Sequence, residues 1–309
     1  MNRIYPLLLL IALLSFTSRA NCQESGDMRI SDAASYLGQA YPGFTPKIFA
    51  KDYLNKDCGI YANVSFQPDL TTVCWTPNSS NDSIYRMGLF IGEKKDHQWL
   101  PYQEIRFLDS LHGHRSPYFS LDGKRLYFQG YLTSNEGWDQ FERFYYVKMK
   151  GDAWSDPVLL DTLFNKYTVH WQFSLDRQNN LYFSGDLRGI ENTGGIYCSS
   201  YEKGSFIEPV LLFSNQDYGD AVFGPAVSPS ADYLLFARIH PRGSTNPRIF
   251  SIYVSFRNDE SYWEKPMDLG GLLLMDANQP RISPDGKYIF FVGNDGFSYW
   301  VDSRILEGM

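Results

Sequence analysis

Five histidines occur in this 309-residue chain, and four of them stand beside short apolar runs: His112, His114, His170 and His240. Neutral imidazoles ligate several divalent metals. His112-Gly113-His114 together with His170 is the set that would supply such ligands if loops brought them together. Histidines in polar loops are more commonly solvated or bonded to backbone. The expectation is therefore no cofactor, with a divalent metal at this cluster as the one exception to test. Arg115, Asp217, Asp220, Arg242, Asp276, Asn278, Gln279 and Arg281 fall in or beside equivalent loops, a mixture of donors and acceptors suited to holding a ligand. A glycosidase needs two carboxylates about 5–10 Å apart across a cleft. Asp217, Asp220 and Asp276 are the pool from which such a pair could come. Nucleophile elbow, P-loop and dinucleotide fingerprints are all missing, so no residue is assigned as catalytic.

The elements that must carry these residues repeat. Copies read SFQPDLTTVCW (Ser65–Trp75), YFSLDGKRLYF (Tyr118–Phe128), QFSLDRQNNLYF (Gln172–Phe183), AVSPSADYLLF (Ala226–Phe236) and RISPDGKYIFF (Arg281–Phe291). Aligned on the turn, Gln67, Ser120, Ser174, Ser228 and Ser283 form one column with steps of 53, 54, 54 and 55 residues. Trp75, Phe128, Phe183, Phe236 and Phe291 form a closing aromatic column. Self-similarity at such a period marks a repeat architecture. Each copy is a strand, a tight turn helped by Asp122-Gly123 or Asp285-Gly286, and a second strand. A third strand follows, as in Phe144–Val147. Next comes an aromatic-then-proline column: Phe44/Pro46, Trp99/Pro101, Trp154/Pro157, Phe206/Pro209 and Trp263/Pro266. A fourth strand ends the unit, as in Val158–Leu160 and Val210–Leu212. Four short strands per repeat describe a blade of an all-β propeller.

Five units give five four-stranded blades, and the even spacing leaves no room for the sixth that relatives of this kind often have. The last motif is followed by one strand, Ser298–Asp302. The fourth strand of that blade is therefore expected from the other end, at residues 43–50, closing the ring and removing its free edges. Propeller geometry puts the turn inside each motif on one face, here the turn face. Loops entering the inner strands and those joining second to third strands lie on the opposite loop face, where His112, His114, His170 and His240 fall. Period-two alternation along the inner strands turns one set toward the central channel. That set includes Asn63, Ser116, His170 and Gln279, with Ser65, Tyr118, Gln172 and Arg281 two residues on.

The chain opens with Met1-Asn2-Arg3, an apolar run from Ile4 to Phe16 and Thr17-Ser18-Arg19-Ala20, the pattern of a secretory signal peptide. The expected organisation is a signal peptide at 1–20, an N-terminal segment at 21–40 and the propeller at 41–309. Cys22 offers an alternative, lipid attachment at a mature N-terminal cysteine. Removing Arg3 and Arg19 with no acid shifts the net charge from −7 to −9. Such an acidic chain lacks the footprint of a nucleic-acid binder. No other run is long and apolar enough to span a bilayer. Cys198 reads as a buried thiol, whereas Cys58 and Cys74 flank the first hairpin and could form a disulfide after export.

The motifs Ser283-Pro284-Asp285-Gly286-Lys287 with Ile289-Phe290-Phe291, and Ser120 through Phe128, resemble those of exported bacterial proteins with WD40-like propeller repeats, related to the propeller of TolB. Tyr36-Leu37-Gly38-Gln39, Pro42-Gly43-Phe44-Thr45-Pro46 and the terminal Tyr299-Trp300-Val301-Asp302 are similar to end signatures of that family. The first unit lacks the turn glycine, the third has an extra residue and the fourth reads Pro229-Ser230-Ala231-Asp232. The resemblance implies a periplasmic or cell-surface location and no particular reaction. Two functions follow as expectations. One is a monomeric binding or scaffolding module for an envelope protein or glycan. The other is a carbohydrate-active enzyme, lyase or hydrolase, with its site at the channel mouth. A deep pocket of closely spaced reactive groups would favour the enzyme. A broader surface with aromatics and arginines would favour the module.

Overall fold

A computed structural model describes residues 30–31, 36–54, 59–78, 88–107, 111–134, 137–138, 142–150, 153–218, 221–241, 243, 245, 248–274 and 276–309. The expected signal peptide and Cys22 lie outside these residues. No helix among the described residues is long and apolar enough to cross a membrane.

Five antiparallel sheets succeed one another along the chain, each built outward from an inner strand. Blade one comprises Ile60–Phe66, Thr72–Pro77, Leu89–Lys95 and Gln103–Ile105. Blade two comprises Leu111–Phe119, Arg125–Ser134, Arg143–Lys150 and Val158–Leu159. Blade three comprises Tyr167–Leu175, Leu181–Leu187, Gly195–Ser199 and Val210–Ser214. Blade four comprises Val222–Val227, Tyr233–Ile239, Phe250–Phe256 and Met267–Asp268. Blade five takes Asn278–Ile282, Tyr288–Val292 and Ser298–Asp302 from the C-terminal end and Lys47–Ile48 from the other. In that last pairing Lys47 lies opposite Trp300 and Ile48 opposite Tyr299, so the ring closes as the sequence predicts.

Apolar side chains from adjacent blades fill the seams between them. Phe128, Phe183, Phe236 and Phe291 of the aromatic column are fully buried, and so is Trp75. Backbone-to-side-chain bonds tie successive inner strands together: Phe119 N–H donates to Ser65 Oγ at 2.9 Å, and Val227 N–H to Ser174 Oγ at 2.9 Å. The packed body reaches back beyond residue 41. Tyr36, Leu37, Phe49 and Tyr53 are buried in the seam between blades five and one, against Phe66, Phe290 and Trp300. Ile30–Ser31 also pairs antiparallel with Gln98–Trp99, a strand the sequence does not signal.

The repeat register needs one correction. In blades one, two, four and five, the N–H groups of Gln67, Ser120, Ser228 and Ser283 donate to the carbonyl five residues later. Their own carbonyls accept from the N–H three residues later. In blade three the equivalent residue is Asp176, not Ser174, because Asp176 N–H donates to Asn180 and Asp176 O accepts from Asn179. The Asp176 carboxylate also accepts from Gln178 N–H at 2.9 Å and Asn180 N–H at 3.0 Å, which holds this turn without a glycine. Asn179 takes the left-handed position filled by Gly123 and Gly286 elsewhere, while Leu70 and Ala231 take it in blades one and four.

Candidate functional site

Every inner strand is interrupted by a register shift on its loop-face half, between Ala62 and Ser65, His112 and Tyr118, His170 and Phe173, Phe223 and Ala226, and Asn278 and Arg281. Pro117, Pro225 and Pro280 sit inside three of these bulges, where a missing N–H leaves no ladder bond unmade. Ser116, Gly224 and Gln279, directly before them, have φ of 53°, 63° and 50°. A bulge bends its strand and re-aims the local side chains. Here it delivers polar groups to the axis.

The axis is bridged from blade to blade. Arg281 of blade five reaches across, its Nη1 donating to Phe173 O at 2.7 Å and its Nη2 to Pro117 O at 3.3 Å. Its guanidinium lies 5.0 Å over the Tyr118 ring. Tyr118 Oη in turn donates to Leu175 O at 2.5 Å. Gln172 Nε2 donates to Gln279 Oε1 at 3.2 Å, and Ser116 Oγ to Trp171 O at 3.2 Å. Burial pulls the Arg281 guanidinium down to about 10, with Tyr118 acting in the opposite sense. Burial likewise pushes the Tyr118 phenol up to about 12. Gln279, Arg281, Gln172 and Tyr118, all members of the column pattern, thus meet across the inner strands.

Other predicted residues go elsewhere. His114 is 1% exposed; its ring stacks on Phe128 and its Nε2 accepts from Phe107 N–H at 3.3 Å. It is a core histidine, and the expectation that it offers a ligand on the loop face is corrected. Arg115 is also buried, in an ion pair with Glu142, and its Nη1 donates to Tyr61 Oη at 2.8 Å. Glu142 carries no periodic signature, so sequence reasoning missed it. Asp276 accepts from the N–H groups of Ile249 and Phe250, a structural brace for the third strand of blade four. His240 Nε2 lies 2.6 Å from Ser251 Oγ. Asp217 is exposed on the short helix Asn215–Tyr218, apart from the axis. Asp220, Arg242 and Cys58 lie outside the described residues, as do the side chains of Asn63, His112 and His170. Cys74 is a free thiol buried in the core, and burial raises its pKa; Cys58, its expected disulfide partner, is outside the described residues. Among the described residues no three His, Cys, Asp or Glu side chains come together as a metal centre.

The turn face, where the sequence places the turn inside each motif, carries a further feature. A small cleft of about 160 Å³ lies between blades two and three, lined by Arg125, Tyr127, Tyr146, Asn179, Tyr201 and Phe206, among others. Its sequence signal was available: the aromatic-then-proline column has Phe206 here where three other blades have tryptophan.

No family model matches this chain, and no curated protein matches it. Among solved structures it is similar to a thermostable family-43 glycoside hydrolase, at 13% identity over 75% of this chain and 85% of that one, with a TM-score of 0.48. An alpha-L-arabinofuranosidase from Lactobacillus brevis gives 14% identity, 78% and 86% coverage and a TM-score of 0.46. A protein described as a TolB from Agrobacterium tumefaciens gives 13% identity, 77% and 73% coverage and a TM-score of 0.45. The five-bladed architecture rests on the chain's own strand pairing.

Proposed function

We propose that this chain is an exported binding or scaffolding propeller of the cell envelope, acting on a protein or glycan ligand without turning it over. One observation carries this reading: four of the polar candidates whose side chains are described are committed to internal bonds. His114 is stacked in the core, Arg115 is paired with Glu142, Asp276 braces backbone and Arg281 is spent on two carbonyls. A general acid or base must be within reach of substrate and free to exchange its proton. Groups whose removal would leave buried partners unsatisfied serve as girders instead. A second reading, a carbohydrate-active enzyme, is favoured by one arrangement, the carboxylate, guanidinium and phenol gathered at Glu142, Arg115 and Tyr61.

The test is to incubate the purified chain with a panel of polysaccharides and envelope extracts, following retention and release of reducing or unsaturated ends together. Retention without release is expected. Release that Glu142→Gln abolishes would replace the binding module with the enzyme.

A further inference from the structure

The seams of this propeller are repeats of one another, and in one of them the chain itself shows what the surface accepts. In the seam between blades five and one, Tyr36 packs on Tyr288, Phe290 and Trp300, with ring centroids 5.2, 6.1 and 5.9 Å away. Its hydroxyl donates to Asp285 Oδ1 at 2.9 Å. Tyr41 stacks on Tyr288 at 5.5 Å with planes 7° apart. An external stretch of chain is thus docked onto four residues of blade five.

The same four positions of blade two are Asp122, Arg125, Tyr127 and Tyr146. Counting from the turn serine, Asp122 matches Asp285, Arg125 matches Tyr288 and Tyr127 matches Phe290. Tyr146 pairs with Tyr127 as Trp300 pairs with Phe290. Asp122 is held as Asp285 is: each accepts from its turn serine, at 2.5 and 2.6 Å, and from the N–H two residues on, at 3.0 and 3.2 Å. A carboxylate has further lone pairs to offer. Arg125 lies 5.4 Å over the Tyr146 ring and donates to Tyr127 Oη at 3.3 Å, so its planar fork stands where Tyr288 stands. Guanidinium planes stack on aromatic rings.

In the seam between blades three and four, Trp263 fills this space, meeting Tyr182 edge-on at 6.1 Å. Between blades two and three the smaller Phe206 turns to Phe164 and Tyr201 instead, and the cleft stays open.

We propose that the cleft between blades two and three is a docking site for a tyrosine-bearing peptide segment of a partner protein, held as Tyr36–Tyr41 is held in the seam between blades five and one. A tyrosine would enter beside Tyr127 and Tyr146 with its hydroxyl on Asp122, and a second aromatic would stack on Arg125. This rests on the binding-module reading and narrows its ligand to protein.

The probe is a synthetic peptide of residues 36–43 of this chain, titrated calorimetrically into the full-length protein, whose own copy already fills the other seam. Binding at one site is expected, weakened at least tenfold by Phe206→Trp, which refills the cleft as Trp263 does, and by Arg125→Ala. A peptide with both tyrosines changed to alanine should not bind. Unchanged melting temperatures in the two variants would show that the fold is intact. Absence of binding to the wild type, or binding that survives both variants, overturns the proposal. Cellohexaose binding that Phe206→Trp abolishes, with the peptide inert, would also overturn it by making the cleft a glycan site. Retention of some other ligand by a protein that ignores the peptide would sink this site and leave the binding module standing.

Discussion

A single arginine illustrates how residue type alone can mislead about role. Arg281 on an inner strand reads as a ligand group, and the column pattern does place it at the axis. Its two donated bonds make it a tie between blades five, two and three. Tyr118, below its guanidinium, supplies a pH test. An unfolded phenol releases its proton near 10, whereas the folded one holds it to about 12. Ionisation therefore favours the unfolded chain. The stabilising contribution is complete below pH 10 and is lost as the pH rises toward 12. The gap in urea midpoint between wild type and Tyr118→Phe should shrink over that window; a gap constant from pH 8 to 11.5 would contradict the assignment. Arg281 and Gln279 were legible because period two is a backbone property. The burial of His114 was not, since nothing in the sequence sets Phe107 and Phe128 on either side of it.

At the scale of the strand and turn, most of each blade is written in local chemistry. The aromatic column is core in every blade, so Phe128→Ala, Phe183→Ala and Phe291→Ala should each cost about 3–5 kcal/mol, read from denaturant midpoints. Turn geometry is legible where Asp-Gly supplies the left-handed residue and less so elsewhere. Ser174-Leu175-Asp176 matches Ser120-Leu121-Asp122 residue for residue, yet the hairpin turns two positions later, because Asp176 accepts the N–H bonds that close it. Local similarity lost to hydrogen-bond satisfaction. Ala231 sits at φ of 60° where two other blades use glycine. A left-handed non-glycine residue costs roughly 1–2 kcal/mol, so Ala231→Gly should raise stability by about 1 kcal/mol once glycine's extra unfolded entropy is deducted. A lowered melting temperature would count against this.

The whole ring depends on its two ends meeting. Phe49 N–H donates to Ser298 O at 2.8 Å, Asp302 N–H to Gly43 O at 2.9 Å, and Tyr36, Phe49 and Tyr53 fill the last seam. Deleting residues 23–50 should therefore cause large destabilisation, and a truncated protein that melts with the full chain would refute the closure. The number of blades and the identity of the closing strand were legible from spacing. The docking of Tyr36 was not, because Asp285, which accepts its hydroxyl, lies 249 residues away and shares no pattern with it. This clasp also sets a schedule. Lys47 and Ile48 leave the ribosome early and cannot pair until Tyr299 and Trp300 exist, so the first blade-forming strand of the chain is the last to be satisfied. Contacts of such sequence separation make folding slow and leave strand edges exposed meanwhile. Until Tyr299 and Trp300 have been made the ring stays open, and the strand that will close it has no neighbour along the edge it will later share with them.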